Sequence, residues 1–276
     1  MKRYLVIKTE FDTRANILNK PIGENWMPEI KEHWNKMKNK IIEELKLQFG
    51  LNNFDEKAKN FKDIGYKPMS FMSFHNKFFE QARNSFIIGA YYAALTATCA
   101  LGERILNHLI LTLRDDYKST PEYRNVYRKN SFDNWDVVIG TLESWNVLLA
   151  PTVEAFNNLK NIRNRSIHFN PEIDENDREL ALEAIRCLVD IIELQFGTIG
   201  DQPWYIPEIP GGFRYIKKEF ENEPFVKKIL IPNCEYVGHL CIVKHDGSQF
   251  VIDDNHEYDD RELTDEEFKT LLFNKE

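Results

Sequence analysis

The chain has 276 residues, of which 42% are hydrophobic and 13% aromatic, with only 12 glycines and 11 prolines. This composition excludes a disordered, low-complexity or collagen-like chain, and about three quarters of the extended surface can be buried without a disulfide or a metal. The net charge of −8 arises in residues 253–267, which hold nine acids and one base, so the neutral remainder does not exclude nucleic-acid binding. The acidic window is typical of a solvated surface segment, with nucleic-acid mimicry as the alternative.

The features that report on compartment favour a cytoplasmic protein. The four cysteines form no disulfide framework for a chain of this length. The apolar run at the N-terminus is too short for a signal peptide. The strongly apolar stretch 87–102 is shorter than the roughly 20 residues of a membrane span and is followed at once by Glu103 and Arg104. We therefore expect no membrane partner.

The N-terminal part of the chain has two predicted elements. Residues 4–8 are typical of a short strand, and apolar residues at every third or fourth position predict a helix over 28–49. Residues 51–70 are polar and contain Gly65 and Pro68, so we expect a connector there.

The central part is predicted as an up-down bundle of helices joined by short loops. Apolar residues recur with helical spacing in the segments 74–89, 90–113, 133–149, 151–169 and 174–196. The second of these is rich in alanine, which predicts a narrow helix buried on most sides. A polar loop with five basic residues, 114–131, precedes the third helix.

The periodicity changes after Gly197. Residues 200–212 are rich in proline and glycine, and three strand-like runs follow, with a hairpin signal at Asp246-Gly247 and a capped terminal helix. The predicted elements are strands 225–231, 236–244 and 249–252 and the helix 264–273. The fold class is therefore mainly α, with a small C-terminal α+β domain. Its predicted units are an N-terminal strand and helix extension over 1–70, a helical bundle over 71–199 and a β-rich domain over 200–276.

The strongest candidate site lies near the end of the predicted helix 151–169. Successive helical residues turn by about 100°, which places Arg163 within the apolar arc of this helix. A guanidinium there needs compensation, and Glu103 is the best partner on a neighbouring helix. Asn164 and His168 lie one turn apart, so Asn164 can orient the imidazole. The structural alternative is that Arg163 only pairs with Glu103 and that His168 interacts with the helix C-terminus, which favours a cation.

The motif and its surroundings resemble the HEPN superfamily (higher eukaryotes and prokaryotes nucleotide-binding), whose ribonuclease members carry Arg-x(4–6)-His. Here the motif consists of Arg163, Asn164 and His168. An aromatic and alanine-rich helix pair precedes it and a capped helix follows it, so the likeness covers roughly residues 71–197. His168-Phe169-Asn170 lacks the tyrosine of the His-x-Tyr found in some members.

The resemblance implies a HEPN-like bundle and a metal-independent endoribonuclease with a composite site across a homodimer, in bacterial defence or toxin–antitoxin biology. It implies RNA as substrate, an antitoxin or regulatory protein as a possible partner, and no cofactor or metal. Histidine suits acid–base roles near neutral pH, and arginine presents a fixed fork to phosphate oxygens. The expected catalytic residues are Arg163, His168 and Asn164, and the expected substrate-binding residues are Arg165 and Glu103.

Other readings of the same residues stay open. The bundle can be a non-catalytic module for dimerisation or partner binding, or a regulator that binds a nucleotide at Arg163 and His168 without cleavage. Cys234, His239, Cys241 and His245 resemble a zinc set, but their spacing matches no common zinc-ligand pattern, so ordinary strand packing is the favoured interpretation. Arg104 and His108, one turn apart, are expected to be a structural pair.

Overall fold

The computed structural model describes residues 1–7, 10–71, 73–167, 176–245 and 250–274. The fold is mainly helical, with 61% helix and 11% strand in small antiparallel sheets, as the sequence predicts. None of the helices within these described ranges is long and apolar enough to cross a membrane.

The N-terminal part contains more structure than its sequence predicts. The helix over 28–49 is confirmed, but the expected connector 51–70 is wrong because it folds into a helix and a strand. Phe61 and its helical neighbours bury an apolar stripe against the first two helices. The elements are β1 (Lys2–Val6), β2 (Glu10–Asp12), α1 (Arg14–Asn19), α2 (Pro28–Phe49), α3 (Phe54–Ile64) and β3 (Lys67–Ser70).

The central bundle follows the prediction closely. Helices are present in all five expected segments, and the polar loop between the second and the third adds short helical turns. The helices are α4 (Ser73–Ile87), α5 (Tyr91–Leu113), α6 (Tyr123–Val126), α7 (Trp135–Ser144), α8 (Ala150–Ile167) and α9 (Asp177–Phe196). The predicted end of α8 and the predicted start of α9 lie outside the described residues.

The C-terminal part contains two elements that the sequence misassigns. The expected strand 236–244 is wrong as a single element, because Cys234–Gly238 and Ile242–His245 are separate strands that pair with different partners. The expected strand 225–231 is wrong: Val226–Leu230 and Ile231–Asn233 are helical turns, because their buried residues recur at helical spacing. The expected hairpin is confirmed by the pairing of its two strands, whereas its turn lies outside the described residues. The elements are β4 (Cys234–Gly238), β5 (Ile242–His245), β6 (Phe250–Asp253) and α10 (Asp265–Phe273), which begins with the predicted Thr264–Glu267 capping box.

Helix α5 is the centre of the hydrophobic core, with α4, α7, α8 and α9 packed around it. It approaches its neighbours closely at Gly102, where an added Cβ would lie 2.7 Å from Leu159 Cδ2 and 2.8 Å from Trp135 Cη2. A glycine at this position lets α5, α7 and α8 meet directly beside Glu103.

Helix α5 is buried on most sides, as its sequence predicts, but one narrow face is exposed. Tyr92 is 64% exposed, and Ala93, Thr96 and Ala100 follow it along the same exposed side. The small side chains therefore serve two purposes: some permit close packing inside the bundle, and the others leave a flat surface that leads to Glu103.

Packing crosses the predicted boundary between residues 199 and 200. Trp204 and Phe225 belong to the same hydrophobic core as α5, and the Phe225 ring lies 6.1 Å from that of Phe196 in α9. Strand β1 at the N-terminus pairs antiparallel with β4. The division into three units stays untested, but because packing crosses this boundary we expect residues 200–276 to be needed for folding, as the Discussion argues.

Candidate functional site

Arg163 is the centre of a three-residue cluster between α5, α7 and α8. Its Nη2 donates to Glu103 Oε2 at 3.1 Å, and the indole Nε1 of Trp135 donates to the same oxygen at 3.2 Å. The Arg163 guanidinium also lies 5.8 Å from the centroid of the Trp135 ring. The expected pairing of Arg163 with Glu103 is therefore confirmed.

The cluster lies at the edge of the core and is open to solvent on one side. Phe156 and Leu159, which share the apolar arc with Arg163, are fully buried. The Arg163 and Glu103 side chains are 24% and 31% exposed, respectively. The arginine thus keeps its stem against apolar residues while its charged end reaches the surface, where a solvent-borne anion can compete with Glu103.

The other residues of the motif have different positions. Asn164 is exposed, and its Oδ1 lies 3.5 Å from Arg163 Nη1. Arg165 points to solvent and pairs loosely with Glu183 at 3.5 Å. His168 lies outside the described residues, so its orientation by Asn164 stays a prediction.

Cys99 is close to this cluster but is unsuited to nucleophilic catalysis. It is buried on α5, and burial raises the pKa of its thiol to about 11, despite the opposing effects of Ser166 and Arg163. A thiol with this pKa is protonated at neutral pH and is a poor nucleophile.

A second group of polar residues, which the sequence does not bring together, lies beside Glu103. His75 on α4 and His108 on α5 approach each other, with His75 Nε2 3.3 Å from His108 Nδ1. Both rings line an open cavity together with Glu103, Arg104, Asn107 and residues of the loop before α7. They also line a much smaller, mostly apolar pocket between α5, Phe196 and Ile229. The histidine pair thus separates a polar space from an apolar one.

Both histidines are neutral at pH 7. Burial, His108 and Arg104 together lower the pKa of His75 to about 4, and burial lowers the pKa of His108. In the 3.3 Å contact one ring therefore donates a hydrogen bond through its N–H and the other ring accepts it.

The low pKa of His75 makes stability depend on pH. Between pH 6.5 and about 4 the unfolded chain protonates residue 75 while the folded chain does not, so the free energy of unfolding falls as the pH is lowered. Between pH 7 and pH 4.5 the free energy of unfolding should fall for both chains. We expect the fall to be about 2 kcal/mol smaller for His75→Gln than for the wild type. Urea unfolding of both chains at the two pH values measures this difference, and equal losses would contradict a neutral buried His75.

The residues of the predicted zinc set have separate partners. Cys234 Sγ donates to the Leu230 carbonyl at 3.3 Å, and Cys241 Sγ lies 3.5 Å from the Tyr215 hydroxyl in a buried position. The His239 ring packs edge-on against Tyr258, and the side chain of His245 is outside the described residues. Strand and turn packing, the favoured interpretation, thus accounts for the three that can be described.

Comparisons of the chain with protein-family models, with curated proteins and with solved structures find no match. The likeness to the HEPN superfamily therefore depends on the motif around Arg163 and on the order of the helices. What the chain does has to be inferred from the chemistry of Arg163, Glu103 and the adjacent cavity.

Proposed function

We propose that this chain is a metal-independent endoribonuclease of HEPN type that acts as a homodimer. The observation that carries the proposal is the position of Arg163: a cation packed on the core, with its charged end open to solvent beside a polar cavity. The mainly helical fold, with α5 against α8, is compatible with the HEPN-like bundle that the motif implies.

The proposed reaction is an internal transesterification of RNA. The 2′-oxygen attacks the adjacent phosphorus, the bond to the 5′-oxygen breaks, and the products carry a 2′,3′-cyclic phosphate and a 5′-hydroxyl. His168 supplies the base that takes the 2′-proton and the acid that protonates the leaving oxygen, one in each protomer. Arg163 donates two parallel hydrogen bonds to the non-bridging oxygens as negative charge develops on them.

In this proposal Glu103 holds Arg163 in the resting enzyme. A phosphate displaces the carboxylate from the guanidinium, and Glu103 keeps the hydrogen bond from the Trp135 indole. The exchange is feasible because both partners are partly exposed, so that solvent screens their attraction.

The homodimer would use the exposed face of α5. This flat surface of Tyr92, Ala93, Thr96 and Ala100 ends at Glu103, so a two-fold axis there brings two Arg163 clusters together. One chain supplies a single motif histidine, whereas the reaction needs both an acid and a base.

A charge on that face should dissociate the dimer. We expect Ala100→Glu to convert a particle of twice the 32.6 kDa chain mass into a monomer in light scattering at micromolar concentration. Ala150→Glu is the matched control, because Ala150 is equally exposed but begins α8. A wild-type chain that is monomeric from the outset would rule out this interface.

A non-catalytic role is the second candidate, and the Glu103–Arg163 pair favours it. A guanidinium already neutralised by a carboxylate suits a dimerisation or partner-binding module, or a regulator that binds a nucleotide. The catalytic proposal requires that this pair opens, and the non-catalytic one does not.

The resemblance also supplies the biological setting of the proposal. HEPN ribonucleases act in bacterial defence and as toxins, so an antitoxin or a regulatory protein would control the activity. A toxin-like ribonuclease would act on RNA in the cytoplasm. Arg165 and Glu103 would contact the strand on either side of the reacting phosphate.

The proposal is tested by incubating the purified chain with a mixed-sequence single-stranded RNA in excess EDTA. We expect RNA fragments on a denaturing gel and no cleavage of the all-DNA strand of the same sequence, which lacks the attacking 2′-hydroxyl. RNA that stays intact, with and without added divalent cations, would leave the binding module as the better account.

A further inference from the structure

An exposed arginine, Arg104, lines the open cavity beside Glu103. Arg104 is exposed on α5, and its guanidinium lies 4.5 Å from the centroid of the Phe78 ring on α4. Within the described part of the chain it has no acidic partner. The guanidinium packs against this ring at the wall of the cavity, where its N–H groups can donate to a ligand.

The histidine pair in the same cavity contains an unused hydrogen-bonding atom. His75 is only 9% exposed, and its Nδ1 makes no hydrogen bond to any residue that the structure describes. In either tautomer the contact with His108 satisfies one ring nitrogen of His75 and leaves the other without a partner. A buried polar atom of this kind is costly unless a ligand or water satisfies it.

The rim of the cavity is held in place by a side chain. Asn107 Nδ2 donates to the Phe132 carbonyl at 2.9 Å, and its Oδ1 accepts from the Phe132 backbone N–H at 2.7 Å. This double contact fixes the loop so that Asn130 and Ser131 line the opening. The cavity is thus lined by an arginine, by two imidazole rings and by a polar loop that hydrogen bonds hold in place.

We propose that this cavity is a phosphate-binding subsite, which holds the phosphate next to the reacting one in the RNA strand through Arg104 and the one ring N–H that the His75–His108 hydrogen bond leaves free to donate. The inference rests on the proposed ribonuclease function for the identity of the ligand. A phosphate suits the cavity because it accepts hydrogen bonds on all sides, as an arginine fork and an imidazole N–H require. Glu103, the acid on the same wall, is paired with Arg163 in the resting chain and keeps the hydrogen bond from the Trp135 indole when the reacting phosphate takes Arg163.

The closing experiment measures binding of a 2′-O-methyl RNA strand, which cannot be cleaved, as a function of salt concentration. We expect Arg104→Gln to weaken binding about tenfold and to lower the slope of log Kd against log salt by about 0.7, the value for one lost contact to a single strand. His108→Gln should weaken binding without folding defects, because His108 is only partly buried. Lys217→Gln is the matched control: Lys217 has a similar contact with Phe220 at 5.7 Å and should leave Kd and slope unchanged.

The outcomes separate this subsite from the ribonuclease proposal. If Arg104→Gln binds RNA with the affinity and salt dependence of the wild type and still cleaves RNA, the subsite proposal is wrong and the ribonuclease proposal stands. If Arg104→Gln shows the weaker binding and the smaller salt dependence, but the wild-type chain does not cleave RNA, the cavity is supported as a phosphate site and the ribonuclease proposal is wrong. Binding that EDTA abolishes would contradict the subsite, because a metal on the two histidines would then hold the strand.

Discussion

Alanine at Arg163 or at His168 should nearly abolish RNA cleavage while leaving the fold intact. Loss of the acid and base in both protomers should cost about 10⁴-fold in rate. Loss of the cation that stabilises the reacting phosphate should cost about 10²–10³-fold. Asn164→Ala should have a milder effect, because its proposed role is only to orient the imidazole. Initial rates on a defined single-stranded RNA measure all three.

The stability of Arg163→Ala distinguishes a site residue from a structural ion pair. A buried pair that loses one member costs about 3–5 kcal/mol. Here Glu103 is 31% exposed and keeps the Trp135 indole as donor, so we expect a loss of about 1 kcal/mol or less. Thermal unfolding of the variant and the wild type provides the comparison. If Arg163→Ala keeps full activity and its free energy of unfolding falls by several kcal/mol, the Glu103–Arg163 pair is purely structural.

The second large effect that we expect is on folding. The fragment 1–199 should not unfold cooperatively, because it lacks side chains that complete the core around α5 and the strand that pairs with β1. The missing core residues are Trp204, Tyr205, Ile216, Phe225, Val226 and Leu230. Burial of each contributes about 1.5–3 kcal/mol, and their sum matches or exceeds the total stability of a typical domain.

Circular dichroism and urea unfolding of the fragment test this expectation, with two point variants of the full chain as controls. Trp204→Ala should destabilise by about 3–5 kcal/mol because Trp204 is 4% exposed. Ile242→Ala should change stability by less than about 0.5 kcal/mol because Ile242 is 42% exposed. A fragment that unfolds cooperatively would establish the boundary after residue 199 as a true domain boundary.

The sequence predicts the long helices well because their apolar residues recur over several turns. Helix α2 begins and ends at the predicted residues, and α5 differs by one residue at its start. Helix α3 was missed because its stripe is short and mixed with lysines. The turn over 226–233 was misassigned because β-branched residues favour strands locally, whereas tertiary packing selects the helical spacing.

Only part of the candidate site can be predicted from the sequence. The Glu103–Arg163 pair follows from a charge on an apolar arc, which needs an acid on the adjacent helix. The contact of His75 with His108 joins residues 33 positions apart, so no local spacing indicates it. Trp135 lies in the predicted helix 133–149, but its hydrogen bond to Glu103 depends on how closely α5 and α7 approach at Gly102.

The measurement that tests the central claim most directly is the chemistry of the ends that the wild-type chain leaves on a defined single-stranded RNA in EDTA. Mass spectrometry of the fragments reads both ends of each cut. The account predicts 2′,3′-cyclic phosphate and 5′-hydroxyl ends, because the 2′-oxygen is the nucleophile. Fragments with 3′-hydroxyl and 5′-phosphate ends, or RNA that stays whole, would contradict it.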